Sequence, residues 1–194
     1  MRVALLTAFL LSLFLLTPCF AEPPADAETL SWNHRPFADS ADDFHFAVVA
    51  DNTGGERPGV FLSAMDKLDL LRPAFVMSVG DFIEGYTDEE SELAAQYDAF
   101  LPLVSRLDAP FFGIPGNHEI SSDAMAAYYG KRFGSLYYSF VYKNVLFITL
   151  NSQDNPAEKT GYRSGLSDEQ VAFVRKTLAD NASVRWTFLF LHQP

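Results

Sequence analysis

From residue 44 onward, apolar and polar positions fall into blocks whose period switches repeatedly. The runs "FHFAVVAD" (44–51), "AFVMSVGD" (74–81) and "PFFGIPGN" (110–117) are short, rich in aromatic and β-branched residues, and bounded by turn formers. Such continuous runs predict strands buried on both faces. Between them the spacing turns helical. In "PGVFLSAMDKLDLL" (58–71), Val60, Phe61, Ala64, Leu68 and Leu71 recur at helical intervals, and Pro58 stands near the start. Residues 88–107 predict a second helix, whose first turn of Asp88, Glu89 and Glu90 complements the helix dipole. A shorter helix is predicted over 123–133. The pattern then changes: "LYYSFVYKNVLFITLN" (136–151) predicts a hairpin turning at Lys143-Asn144. A polar loop (152–165) leads to a helix over 167–180, where Ser167 and Gln170 have the spacing of a capping box. "WTFLFLHQP" (186–194) predicts one more buried strand.

Strand–helix units in succession imply an α/β fold, with a largely parallel sheet covered by helices. In such folds, chemistry collects at the carboxyl ends of the strands. Asp51, Asp81, Asn117 and His192 all stand at such ends. Singly, each has a plain explanation: an Asp after a strand is a turn or helix cap, and a lone His is a satisfied buried side chain. Jointly they point elsewhere. Neighbouring strands lie about 4.8 Å apart, so ligands at adjacent ends can surround a divalent ion. The group Asn117-His118-Glu119, directly after an apolar strand, is more than a turn requires.

The 194 residues suit one domain, and 48% hydrophobic content suffices for a substantial core. A net charge of −11 argues against nonspecific binding to nucleic acid or to an anionic membrane. An acidic protein can still process phosphate esters when metal ions supply local positive charge. At the N-terminus, Arg2 precedes an apolar run from Val3 to Leu16, then Pro18 and the small residue Ala21. That layout predicts a secretory signal peptide over 1–21, too short for a comfortable membrane span, and therefore export to a periplasmic or extracellular space. Cys19 is the sole cysteine and would leave with the signal, so a metal site must use His, Asp, Glu and Asn. Residues 22–43, rich in Pro, Ala and Asp, are expected as a flexible lead-in that Trp32 pins to the body, and 44–194 as the domain itself.

The segments "VVAD" (48–51), "GDFIE" (80–84), "GNHE" (116–119) and "FLHQP" (190–194) resemble, in order and spacing, the calcineurin-like metallophosphoesterases. The resemblance covers roughly residues 44–194. It implies a sandwich of mixed β-sheets flanked by helices, and a hydrolase of phosphate esters using two divalent ions (Mn, Zn, Fe or Mg). On that pattern Asp81 bridges both ions, Asp51 binds the first, and Asn117 and His192 bind the second. His118 contacts the phosphate and protonates the leaving oxygen. Glu119 orients a histidine by a hydrogen bond.

Two departures from the family's pattern are visible. Its first motif is usually Asp-x-His, whereas this chain has Asp51-Asn52-Thr53. Thr53 is a poor ligand, and Glu84, three residues after Asp81, is the candidate replacement. The family also carries a Gly-His-x-His motif beyond the first C-terminal histidine, and no such motif follows His192 here. The chain is therefore expected to be part of a longer enzyme, its domain incomplete at the C-terminus. The competing expectation is a degenerate member that binds metal or a phosphorylated ligand without turnover.

Overall fold

A computed structural model describes residues 27–37, 43–154 and 164–193. The stretch expected as a signal peptide lies outside the described residues, as does most of the polar loop before the last helix. Among the described residues, no helix is long and apolar enough to cross a membrane.

Within the described residues eleven elements follow one another: α1 (Ala27–Leu30), β1 (Ala47–Val49), α2 (Val60–Leu71), β2 (Val76–Ser78), α3 (Glu90–Val104), β3 (Phe111–Gly113), α4 (Asp123–Phe133), β4 (Tyr138–Tyr142), β5 (Val145–Thr149), α5 (Asp168–Asp180) and β6 (Trp186–Phe190). They form two three-stranded sheets, ordered β1-β2-β3 and β4-β5-β6. The first is wholly parallel, with Ala47 opposite Val76 and Val76 opposite Phe111. The second is mixed: β4 and β5 form the antiparallel hairpin, and β6 returns parallel to β5 after α5. Lys143 and Asn144 carry the hairpin with φ of 46° and 63°, the left-handed pair that matches strand twist.

The apolar runs of the buried strands explain the layering, whereas β1 and β6, also expected to be buried, lie at sheet edges with Val48, Trp186, Phe188 and Leu189 exposed. Along a strand, alternate side chains point to opposite faces, so an uninterrupted run has two faces to bury. On β3, Phe111 joins the cluster under α2, α3 and α4 (Met65, Tyr97, Phe100, Tyr129), while Phe112 joins the cluster between the sheets. On β5, Phe147 faces that same inter-sheet cluster, beside Phe75 and Phe140. Leu146 and Ile148 face the other way, against Phe173 and Val174 of α5. The result is helix, sheet, sheet, helix: the sandwich of mixed sheets flanked by helices that the family resemblance implied.

Trp32 belongs to this core. Its indole stacks on Phe133 at 4.0 Å and meets Phe82 edge-on at 4.7 Å. Gly113 makes room, since a Cβ there would stand 2.5 Å from the ring. The same segment covers the free edge of β3: Trp32 N–H donates to the Phe111 carbonyl, and the Asn33 amide bonds Phe111 N–H and the Ala109 carbonyl. That satisfies backbone groups that an edge strand would otherwise leave open. At α5, Ser167 caps the Gln170 N–H, but Gln170 does not return to Ser167. Its amide instead clamps both backbone groups of Asn151, at the end of β5.

Candidate metal centre

The carboxyl ends of β1, β2, β3 and β6 open on one side of the sandwich, and the turns there are built tightly. Asp51 and Asp81 both have left-handed backbones, with φ of 52° and 57°. Non-glycine residues hold such angles only where surroundings over-determine them, commonly at functional sites. The glycines beside them leave no room for a side chain. A Cβ on Gly80 would stand 2.6 Å from Gly116 N, and one on Gly116 would stand 2.2 Å from Asp81 Oδ1. The β2 and β3 turns therefore touch backbone to backbone.

Glu119 locks them together. Its buried carboxylate accepts N–H bonds from Asp81 (2.9 Å), Phe82 (2.7 Å), Ile83 (3.2 Å) and Gly116 (2.8 Å). Burial pushes its carboxyl up to about 7; the N–H bonds of Gly116, Ile83 and Phe82 pull against that, while the charge of Asp81 adds to it. The orienting of histidines falls to backbone carbonyls: His118 Nδ1 donates to Glu84 O at 2.8 Å, and His192 Nδ1 to Val79 O at 2.7 Å. Both rings thereby present Nε2 to the site.

Asp51, Asp81 and His192 each bring one ligand atom to within 4.8 Å of the others. Asn117 joins them: its Oδ1 lies 3.0 Å from His192 Nε2, which is also 3.3 Å from Asp81 Oδ2. The amide is turned this way by two neighbours, Tyr86, whose hydroxyl accepts from Nδ2 at 2.6 Å, and Gln193, whose Nε2 donates to Oδ1 at 3.0 Å. His118 stands beside the group, with Nε2 3.9 Å from Asp81 Oδ2. Glu84 lies outside it; its carboxylate accepts the Thr53 hydroxyl at 2.7 Å. Tyr86, Gln193 and Gly54, whose added Cβ would come within 3.3 Å of His118 Nε2, carry no sequence signal of the kind that marked the strand ends.

The electrostatics favour a cation here. Burial raises the Asp81 carboxyl, but the hydrogen bond and charge of His192 and the N–H and charge of His118 outweigh it and hold it below the usual range. His192 is desolvated too, which lowers it, yet Asp81 and the Val79 carbonyl hold it above its ordinary value. Two carboxylates, an amide oxygen and an imidazole nitrogen suit a divalent ion. Next to Asp51 opens a cavity of about 610 Å³, lined by Val49, Val60, Phe61 and Arg57 among others.

An α/β sandwich with candidate metal ligands at the carboxyl ends of its strands is the arrangement of a metallophosphoesterase-type protein. The chain belongs to the calcineurin-like phosphoesterase family, whose model matches residues 43–194. It is 30% identical over 131 residues to a protein of Arcobacter nitrofigilis named a probable glycerophosphodiester phosphodiesterase; the match takes in 63% of this chain and 42% of that one. The chain thus spans less than half the length of that relative. Its fold is similar to that of a dimetal phosphatase from Danio rerio, with a TM-score of 0.58 at 16% identity, covering 78% of this chain and 70% of that one.

Proposed function

We propose that the chain carries the metal-dependent, phosphoester-hydrolysing site of an exported enzyme. The observation that supports this best is the convergence of Asp51, Asp81 and His192 from three separate strand ends into one ligand group. Asp51, Asp81, Asn117 and His192 would hold the metal. When bound, divalent ions offset phosphoryl charge and lower the pKa of water. The remaining work is the chain's own. Glu84 O holds His118 Nδ1–H and so turns Nε2 toward the site, where the imidazolium form would carry the proton for the leaving oxygen. Glu119 keeps the β2 and β3 turns from separating as charge in the site changes.

Two ions are the finer reading. Asp81 would be shared, with Asn117 and His192 on one side. Asp51 would serve the other, with Glu84 once it leaves Thr53. Bound metal counted on the purified chain is expected to fall from two toward one in Glu84→Ala, and unchanged occupancy rules that role out.

Hydrolysis is tested with p-nitrophenyl phosphate in Mn²⁺ or Zn²⁺. The unaltered chain is expected to turn it over, and His118→Ala to lower kcat by roughly 10²- to 10⁴-fold, the usual share of a general acid. The bond from Glu84 to Thr53 favours a second reading, since it engages the substitute ligand elsewhere. Metal binding without turnover would select that one.

A further inference from the structure

We propose that Gln153 is a positioning residue: acting through Gln193, it sets which atom of the Asn117 amide faces the ligand group, an inference that rests on reading Asn117 as a metal ligand.

A side-chain amide has two ends of similar shape and opposite chemistry. Its oxygen can bind a divalent ion, and its NH₂ group cannot. Packing does not choose between the two orientations; hydrogen bonds must. At Asn117 two neighbours are indifferent. The Tyr86 hydroxyl, 2.6 Å from Nδ2, can accept or donate, and so can a ring nitrogen such as His192 Nε2, 3.0 Å from Oδ1. Gln193 discriminates, because its Nε2 donates to Oδ1 at 3.0 Å. Yet Gln193 is an amide too, and turned over it would offer its oxygen instead. Its own orientation comes from Gln153, whose Nε2 donates to Gln193 Oε1 at 2.8 Å. The Ser164 hydroxyl, 3.4 Å from the same oxygen, can serve either way.

The amides of Gln153, Gln193 and Asn117 thus form a row in which each NH₂ group faces the next acceptor. Reversing the row would put Asn117 Nδ2 where Oδ1 now stands, beside His192. The far end of the row shows what the present direction requires. Gln153 is 1% exposed, and its Oε1 has no hydrogen-bond partner among the described residues. A buried acceptor without a donor is rare in folded chains and calls for a reason. Here the oxygen at Gln153 goes unmatched while the NH₂ group points at Gln193, and the row then presents an oxygen at Asn117. The backbone around Gln153 is fixed to hold this arrangement. Its N–H is bound by Asn151 Oδ1 at 2.9 Å, Asn151 is clamped by Gln170, and Ser152 Oγ accepts the Gln193 N–H at 2.9 Å.

Gln153→Met keeps the length of the side chain and removes the donor. Titration calorimetry with Mn²⁺ is expected to show about tenfold weaker binding in that variant, and no more than about twofold further weakening when the same change is made in Gln193→Met. A merely structural role would give equal losses in both backgrounds. Gln153→Asn, which keeps the amide but withdraws it by one methylene, should repeat the result and takes its place if Gln153→Met does not fold. A second readout needs no metal. In EDTA, NMR cross-relaxation should run from the Asn117 Nδ2 protons to the Tyr86 ring in the unaltered chain and fade in Gln153→Met. Manganese affinity that Gln153→Met leaves unchanged, or that falls equally in both backgrounds, overturns the proposal while the metal reading stands. An unaltered chain that binds no manganese removes the metal reading, and the cross-relaxation then decides alone. A contact that fades in Gln153→Met sustains the positioning role, and one that persists ends it.

Discussion

Glu119 shows how much of the site depends on a side chain that touches neither metal nor substrate. A buried carboxylate facing four backbone N–H groups satisfies donors that have no other partner within the turns. In Glu119→Gln, the amide nitrogen would turn N–H against N–H. That substitution is expected to destabilise the chain by about 2–4 kcal/mol, because hydrogen bonds to a charged group are lost and donors are stranded. A urea midpoint unchanged within error would mean that the turns hold without it. The sequence could not have revealed this anchoring. The ligand residues are conspicuous because polar side chains end apolar runs at Asp51, Asp81, Asn117 and His192. A bond from Glu119 to an amide 38 residues away leaves no local pattern. Tyr86 escaped for the same reason: an aromatic in a polar loop looks like surface until the fold sets it beside His118. Glu84 is legible as a candidate from its offset from Asp81, but the bond it accepts from Thr53 depends on the crossing of two loops.

At the scale of elements, the helices were the most legible: the predicted 123–133 coincides with α4, and 58–71 ends where α2 ends. Their spacing and caps are written locally. The parallel strands are shorter than the apolar runs that encode them. Residues 44–51 pair as a ladder over Ala47–Val49, and 74–81 over Val76–Ser78. The runs end in left-handed turns at Asp51 and Asp81, which take the last residues out of the ladder and aim the carboxylates inward. Partition into two sheets was also hidden, because a run buried on both faces does not say which layer covers it. The contact of the β2 and β3 turns is where an element-scale change should be most severe. Gly80 has φ of 100° and its missing Cβ would strike Gly116 and His192. Gly80→Ala is expected to cost more than about 3 kcal/mol, combining backbone strain with overpacking, and to lower metal affinity at least tenfold. Substitution at Gly55, where an added Cβ meets nothing within 4 Å, is the control for strain alone. Equal losses at both positions would count against the turn contact.

Across the whole molecule, charge and protonation couple the site to stability. The chain carries −11 overall, and its candidate metal centre gathers Asp51, Asp81 and Glu119 within one corner. Without metal, protons partly stand in. Glu119 rises from its ordinary 4.5 to about 7, so between those values the folded chain holds a proton that the unfolded chain has released. Stability must then fall as pH rises through that window, by about 3 kcal/mol for a fully buried group. His192, held above its ordinary 6.5, acts in the same direction: its contribution is complete below 6.5 and is lost as pH climbs through the folded value. Asp81, held below 3.8, works at the other end, and its contribution is lost only as pH falls through its lowered value. The metal-free chain should therefore be most stable in mildly acid solution. Urea midpoints in EDTA are expected to drop from pH 5 to pH 8. Zinc should reverse the drop at pH 8, since an ion at a hundred times its dissociation constant adds about 2.7 kcal/mol. Midpoints in EDTA that rise over the same range would show that the four N–H donors keep Glu119 ionised throughout. The metal would then complete a corner already charged, rather than replace a proton in it.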